Sequence, residues 1–211
     1  MPGIPAVRNR EQTRQLLIET VGRVLAQEGF AGLGVNAVAR AAGVDKVLIY
    51  RYFDGLPNLL KAYGESGDFW PTVEEVLGPD TDALRRLPLD QRTAIVVSNL
   101  LDALRRRPQT IEILAWEAAQ QNALTETLAD IREQWSRNVI ARMLPDSLKA
   151  GDDVLALASL LVAGFQYLLI RSRNTGVYGG LALQTEEGWR RIRNAVFLAF
   201  GIAPPRKSLP K

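Results

Sequence analysis

GFAGLGVNAVARAAGVDKVLIYRYFDGLPNLL, residues 29–60, decides the fold of this 211-residue chain. Val35, Val38, Ala39 and Ala42 recur at helical spacing and form one apolar face. Ala39 and Ala42 are small, so a second helix can cross closely there. Gly43 stands where the chain must leave the helix, in the left-handed conformation that glycine tolerates. Val44 plugs the corner, and Asp45 suits an N-cap. In the helix that follows, Ile49 and Phe53 lie one turn apart and form the buried pair. Val47, Leu48, Tyr50 and Arg51 then point outward. Gly55 can end this helix and Pro57 can open the next. Two aliphatics, a phenol and a guanidinium on one exposed face require a partner. DNA fits: apolar side chains meet thymine methyls, while Arg and Tyr reach base edges or phosphates.

The ordered set Gly29-Phe30, Val35, Val38-Ala39, Ala42-Gly43-Val44, Lys46, Ile49-Tyr50, Tyr52-Phe53 and Leu59-Leu60 resembles the DNA-binding domain of the TetR-type (tetracycline-repressor-like) transcriptional regulators. The resemblance covers residues 9–60. It places Lys46, Val47, Leu48, Tyr50 and Tyr52 on the major groove, with Arg51 on the same helix. It puts Asn36 at a base-reading position on the preceding helix, where Asn suits adenine. Arg8, Arg10 and Thr13 are expected to add backbone contacts. The chain departs from the family pattern in four places. Gly34 stands where Ser or Thr caps the helix, Asp45 replaces Ser, Tyr52 replaces His, and Leu56 replaces a phosphate-binding Lys. Backbone N–H groups at that last helix start remain available to a phosphate.

The charge distribution agrees. Residues 1–53 hold seven Lys/Arg against four Asp/Glu, so the whole formal excess of +3 lies in the segment expected to meet DNA. There is no cysteine and no histidine. That excludes disulfides, thiolate chemistry and cysteine-ligated metal, and removes the commonest general base and metal ligand. No metal, no cofactor and no catalytic set is expected. The first residues, MPGIPAVRNR, lack the apolar core of a signal peptide. The apolar stretch Val154–Ile170 falls just short of a membrane span. A cytoplasmic protein without membrane contact is the expectation.

The remainder reads as helical, giving an all-α chain of about nine helices. Its organisation is a three-helix helix-turn-helix domain over 1–55 and a helical ligand-binding and dimerisation bundle over 56–211. Asn9 with Gln12 resembles a capping box for a first helix with the buried face Leu17, Val21, Val24 and Leu25. Gly78-Pro79-Asp80 is a loop. Further helices are expected over 89–107, 109–120, 122–144, 154–171 and 186–200, the third capped by Asn122 and the last by Thr185. No strand pattern is evident. The runs Arg105–Arg107 and Arg190–Arg193 read as solvated helix surfaces.

The helix over 154–171 is apolar nearly all round, so it must be covered on more than one side. A twin subunit is the expected cover, with Trp189, Ile192, Val196, Phe197 and Phe200 contributing from the last helix. The resemblance implies the same homodimer. An apolar or aromatic organic effector is expected between the central helices, lined by Phe69, Trp116, Gln120 and Trp135. These features together predict a ligand-responsive transcriptional regulator, a repressor that binds a palindromic double-stranded operator as a dimer. The alternatives are a helical small-molecule-binding protein or enzyme with a vestigial DNA-binding domain, and a purely structural adaptor. The adaptor does not explain the outward Val47, Leu48, Tyr50 and Arg51. An enzyme without His or Cys is left with carboxylates, Lys, Tyr, Ser and Thr, and the sequence holds no phosphate loop G-x-x-x-x-G-K-[ST].

Overall fold

The computed structural model describes residues 5–143 and 153–205, with side chains from residue 10. Among these residues the chain forms eleven helices and one two-stranded hairpin. It is all-α, as the periodicities predict. By contact density it falls into two compact units. One comprises Met1–Trp70 with Arg107–Trp135, and the other Pro71–Arg106 with Ser136–Lys211.

The first unit begins with α1 (Pro5–Gly32), which kinks where Gly29 takes φ 67° and ψ −171°. Leu17, Val21, Val24 and Leu25 are all buried, as their spacing predicts. Each contributes about 1.5–3 kcal/mol by leaving water. The helix starts at Pro5, so Asn9 lies within it and not at its cap. Next come α2 (Val35–Ala42), α3 (Val47–Phe53) and α4 (Leu56–Gly64), with Pro57 in the first turn of α4. The unit is completed by α8 (Pro108–Ala119) and the first part of α9 (Ala123–Met143). Asn122 opens α9, its Oδ1 accepting from the Leu124 and Thr125 N–H groups at 2.9 and 3.2 Å.

Helix α1 packs against α2, α4 and α8, and two glycines set the closest approaches. A Cβ at Gly29 would lie 2.8 Å from Trp116 Cδ2 on α8. A Cβ at Gly64 would lie 2.4 Å from Ile131 Cδ1 on α9. Any larger residue at either position would push the helices apart. Thr110 Oγ1 donates to the Phe69 carbonyl at 2.5 Å. Arg107 donates to the Gly67 carbonyl through Nε and Nη2, at 3.1 and 3.0 Å.

The second unit contains α5 (Val73–Leu77), α6 (Thr81–Arg86), α7 (Leu89–Arg105), α10 (Asp153–Ser172), β1 (Val177–Tyr178), β2 (Leu181–Ala182) and α11 (Glu186–Ala199). Helix α7 is its axis, in contact with α5, α10 and α11. Helices α5 and α6 raise the expected nine to eleven. Both are single short turns, flanking the Gly78–Asp80 loop, and too brief to show a period. Their caps are nonetheless visible in sequence: Thr72 Oγ1 accepts from the Glu75 N–H at 3.1 Å and Asp80 Oδ1 from the Ala83 N–H at 2.8 Å. The hairpin likewise escapes a pattern search, since each strand has two residues. Gly188 permits its close approach to α11, because a Cβ there would meet the Ala182 carbonyl oxygen at 2.0 Å.

Three sequence expectations are corrected in this unit. Trp189, Ile192, Val196, Phe197 and Phe200 are buried within the chain and do not form an outward face. Arg105 pairs with Glu186 and lies over the Trp189 ring, Arg106 pairs with Glu75, and Arg193 pairs with Asp102, so these arginines are tertiary ties. Helix α10 has twenty residues and is, by length and composition, apolar enough to cross a membrane, where the sequence stretch looked too short. Only Phe165 and Leu169 of α10 are buried, and Leu160 is 72% exposed.

Candidate nucleic-acid interface and effector region

The α2–α3 corner closes as its residues predict. Gly43 is left-handed (φ 68°, ψ 32°). Its N–H donates to the Arg40 carbonyl at 3.2 Å, and the Val44 N–H to that of Ala39 at 3.1 Å. Asp45 Oδ1 accepts from the Val47 N–H at 2.8 Å, which occupies one orphan donor of α3. The end of α3 is corrected by one residue. Asp54 takes the left-handed position (φ 59°) and returns its N–H to Tyr50, while Gly55 (φ 120°) stands before α4. Asp is one of the few residues besides glycine that visits this region readily.

With this geometry Ile49 and Phe53 are buried, and the outer face of α3 is set. Val47 and Tyr50 are 58% and 55% exposed. Lys46, Arg51 and, on α2, Asn36 are exposed as well. Leu48 and Tyr52 are half-buried, so Leu48 is less outward than the helical wheel predicts. The Tyr52 ring lies beneath the Arg10 guanidinium, 5.5 Å from its centroid, and the Phe53 ring beneath that of Arg14 at 5.2 Å. Beside α3 a surface hollow of about 650 Å³ is bordered by Arg14, Arg51, Asn58 and Lys61. Arg14, Asn58 and Lys61 were not singled out from sequence, because only the fold brings α1 and α4 to the edge of α3. Arg8 lies outside the residues whose side chains are described. The arrangement presents an aliphatic–phenol centre with Lys46 and Arg51 exposed beside it. Arg14 and Lys61 at the rim pair with Glu11 and Glu65, and Asp54 also borders the hollow. Such a face suits base edges at the middle and phosphates at its cations.

The expected effector residues separate into three places, all in the first unit. Phe69 is fully buried in a chain of rings: Tyr63–Phe69 at 5.4 Å, Phe69–Trp70 at 5.9 Å and Trp70–Trp135 at 5.9 Å, the last edge-on. Trp116 is half-buried against Gly29. Gln120 borders a hollow of about 370 Å³ with Glu117, Thr125 and Arg132. Arg132 joins two of these places. Its guanidinium lies over the Phe69 and Trp70 rings at 5.9 and 5.5 Å and pairs with the Glu117 carboxylate at 2.9 Å. Burial pushes the Glu117 carboxyl above its ordinary range, against the pull of Arg132. Burial also raises the Tyr63 phenol, with Asp68 adding in the same direction. Arg132 was missed from sequence as a member of this group, since only the fold brings α9 against the rings of the turn after α4.

Residues 17–63 match the family model described as bacterial regulatory proteins, tetR family. An HTH-type transcriptional repressor of Streptomyces coelicolor is 26% identical over 153 residues, 66% of this chain and 73% of that protein. An uncharacterized HTH-type transcriptional regulator of Mycobacterium tuberculosis is 33% identical over 58 residues, 28% and 29% of the two chains. Among solved structures, a TetR family transcription regulator from Marinobacter aquaeolei superposes with a TM-score of 0.60 at 19% identity, covering 94% of this chain and 100% of that one. FadR from Bacillus subtilis, solved with stearoyl-CoA, gives 0.59 at 18%, covering 86% and 96%. The chain thus matches the tetR family model over the segment that carries α2 and α3, and it shares the fold of TetR-family transcriptional regulators along most of its length.

Proposed function

We propose that the chain is a repressor that binds a palindromic operator as a homodimer and is released by a small organic effector. The observation that carries this reading is the outer face of α3, where Lys46, Val47, Tyr50 and Arg51 are exposed above the buried Ile49 and Phe53. Lys46, Val47, Leu48, Tyr50, Arg51 and Tyr52 read the major groove, and Asn36 adds a base contact from α2. Residues 1–55 are the reading head. Residues 56–211 hold effector and twin.

The dimer is supported by α10, whose outer face carries the exposed Leu160 and a run of half-exposed aliphatics, with Tyr167 exposed beside the Tyr178 ring. Leu198 of α11, 62% exposed, extends the apolar surface of the second unit. A second copy is the proposed cover, giving a two-fold dimer with two recognition helices at fixed separation. The protein is proposed to work in the cytoplasm, where its operator lies. The effector reading is supported by the first unit, in which α8 and α9 touch α1 and α4 at Trp116–Gly29 and Ile131–Gly64. A compound that moves α8 or α9 must move the helices that carry α3. It releases DNA only if it prefers the DNA-incompetent arrangement. FadR, of the same fold, was solved with an acyl-CoA, which supports an organic ligand in this architecture.

The test is binding to DNA upstream of the gene and its neighbours, followed by fluorescence anisotropy at two salt concentrations. Saturable, salt-sensitive binding to a site with two-fold symmetry is expected. Binding no tighter than to unrelated duplexes would overturn the reading.

A further inference from the structure

Among the described residues, six buried side-chain polar atoms find no hydrogen-bond partner: Tyr63 Oη, Trp70 Nε1, Arg92 Nε, Thr93 Oγ1, Trp135 Nε1 and Arg193 Nε. The two arginines are bonded through other guanidinium nitrogens, to the Arg85 carbonyl and to Asp102. Of the four remaining, three belong to the single ring chain Tyr63–Phe69–Trp70–Trp135. Elsewhere this protein satisfies such groups: Trp189 Nε1 donates to the Leu183 carbonyl at 2.8 Å. Tyr63 and Trp70 are 1% and 5% exposed. Unmade hydrogen bonds at that depth are costly, and three in one cluster call for an explanation.

The chemistry of the three groups is one-sided. An indole N–H only donates, and the phenol can donate. The protein supplies no acceptor to any of them. The surrounding walls are flat and apolar. Arg132, over Phe69 and Trp70, is already neutralised by Glu117, and the charge that acts on the Tyr63 phenol is the Asp68 carboxylate, so the cluster carries no free cation to hold an anion. Arg132, which lies over the Phe69 and Trp70 rings, also borders the hollow of about 370 Å³.

We propose that Tyr63, Trp70 and Trp135 form the donor set of the effector site and select a neutral, planar aromatic carbonyl compound, which enters past Arg132. This rests on the effector reading above and names the chemistry of its ligand. The carbonyl oxygen accepts from the phenol and an indole N–H, and the ring system stacks within the aromatic wall.

The probes are 9-fluorenone and fluorene, equal in shape and differing at the carbonyl. Binding is read by tryptophan quenching and thermal shift on the full chain, and operator release by anisotropy in the same samples. Fluorenone is expected to bind at least about tenfold more tightly than fluorene, a 1.4 kcal/mol difference. Tyr63→Phe should bring fluorenone down toward fluorene and leave fluorene unchanged. The same variant without ligand should be no less stable than wild type, because its hydroxyl bonds to nothing. Equal binding of the two probes, binding of neither, or a Tyr63→Phe variant that is destabilised when free overturns the proposal. Preferential fluorenone binding that leaves operator affinity unchanged upholds the donor site and overturns the effector reading instead.

Discussion

Replacing Gly29 by alanine strikes the joint between the DNA-binding helices and α8. The backbone there has φ 67° and ψ −171°, a region occupied almost only by glycine. Holding an L-residue in it costs about 1–3 kcal/mol. The new methyl would also sit 2.8 Å from Trp116 Cδ2 and 3.0 Å from Cε2 and Cε3, an indole face with no free end to swing away. Overpacking of that kind costs a further ~1–3 kcal/mol. The total, roughly 2–6 kcal/mol, lowers the melting temperature by at least about 4 °C for a chain of this size. Two controls separate the contributions. At Gly43 the backbone is left-handed (φ 68°) but a Cβ meets nothing within 4 Å, so Gly43→Ala should cost only about 1–2 kcal/mol. At Gly34 the backbone is extended and the space open, and Gly34→Ser supplies the missing N-cap, so stability should rise by a few tenths of a kcal/mol. Thermal and urea unfolding by circular dichroism measures all three. Gly29→Ala as stable as wild type, or no more damaging than Gly43→Ala, would refute the Gly29–Trp116 contact as drawn.

Three further outcomes follow from the packing. Gly64→Leu drives into Ile131 and Leu128, so it should destabilise the first unit by about 1–3 kcal/mol and weaken operator binding, as read by unfolding and anisotropy. Leu160→Glu on the outer face of α10 should shift light scattering from twice the 23.3 kDa chain mass toward the monomer, whereas Phe197→Glu, buried in its own chain, should unfold the second unit. The Glu117 carboxyl is raised by burial, so its folded form binds a proton more tightly than its unfolded form. Its contribution to stability therefore grows as pH falls from neutral toward about 4.3 and fades as pH rises through the raised value. The stability of wild type relative to Glu117→Gln should increase on acidification across that window, and a difference independent of pH would contradict the burial of Glu117.

Much of the DNA-reading region was legible before any coordinates. The corner needed a left-handed residue, and Gly43 supplied it; the α3 face needed two buried positions one turn apart, and Ile49 and Phe53 supplied them. These are local constraints with a fixed period. The α1 face was legible for the same reason. What sequence did not show depends on long-range pairing. Arg105, Arg106 and Arg193 read as solvated until Glu186, Glu75 and Asp102 arrive from other elements. Trp189 and Phe197 looked available to a twin because periodicity names an apolar face without naming its partner, and α7 turned out to be that partner. The end of α3 went to Asp54 because asparagine-like side chains share the glycine niche, and the short α5 and α6 carried caps but no period.

The most direct test of the central claim is operator affinity for wild type, Tyr50→Ala and Lys46→Ala, each first shown to be folded. Tyr50 and Lys46 are exposed. Lys46 and not Asp45 holds the N-cap position of α3, but it caps with no side-chain bond, and the Asp45 side chain accepts from the Val47 N–H, so the helix should survive either change. Tyr50→Ala is predicted to lose about 1–3 kcal/mol of specific binding, roughly 5- to 150-fold, with specificity relaxed at the contacted position. Lys46→Ala is predicted to weaken all sequences and to lower the salt dependence by about one ion. Operator affinity unchanged in both folded variants would contradict recognition through α3.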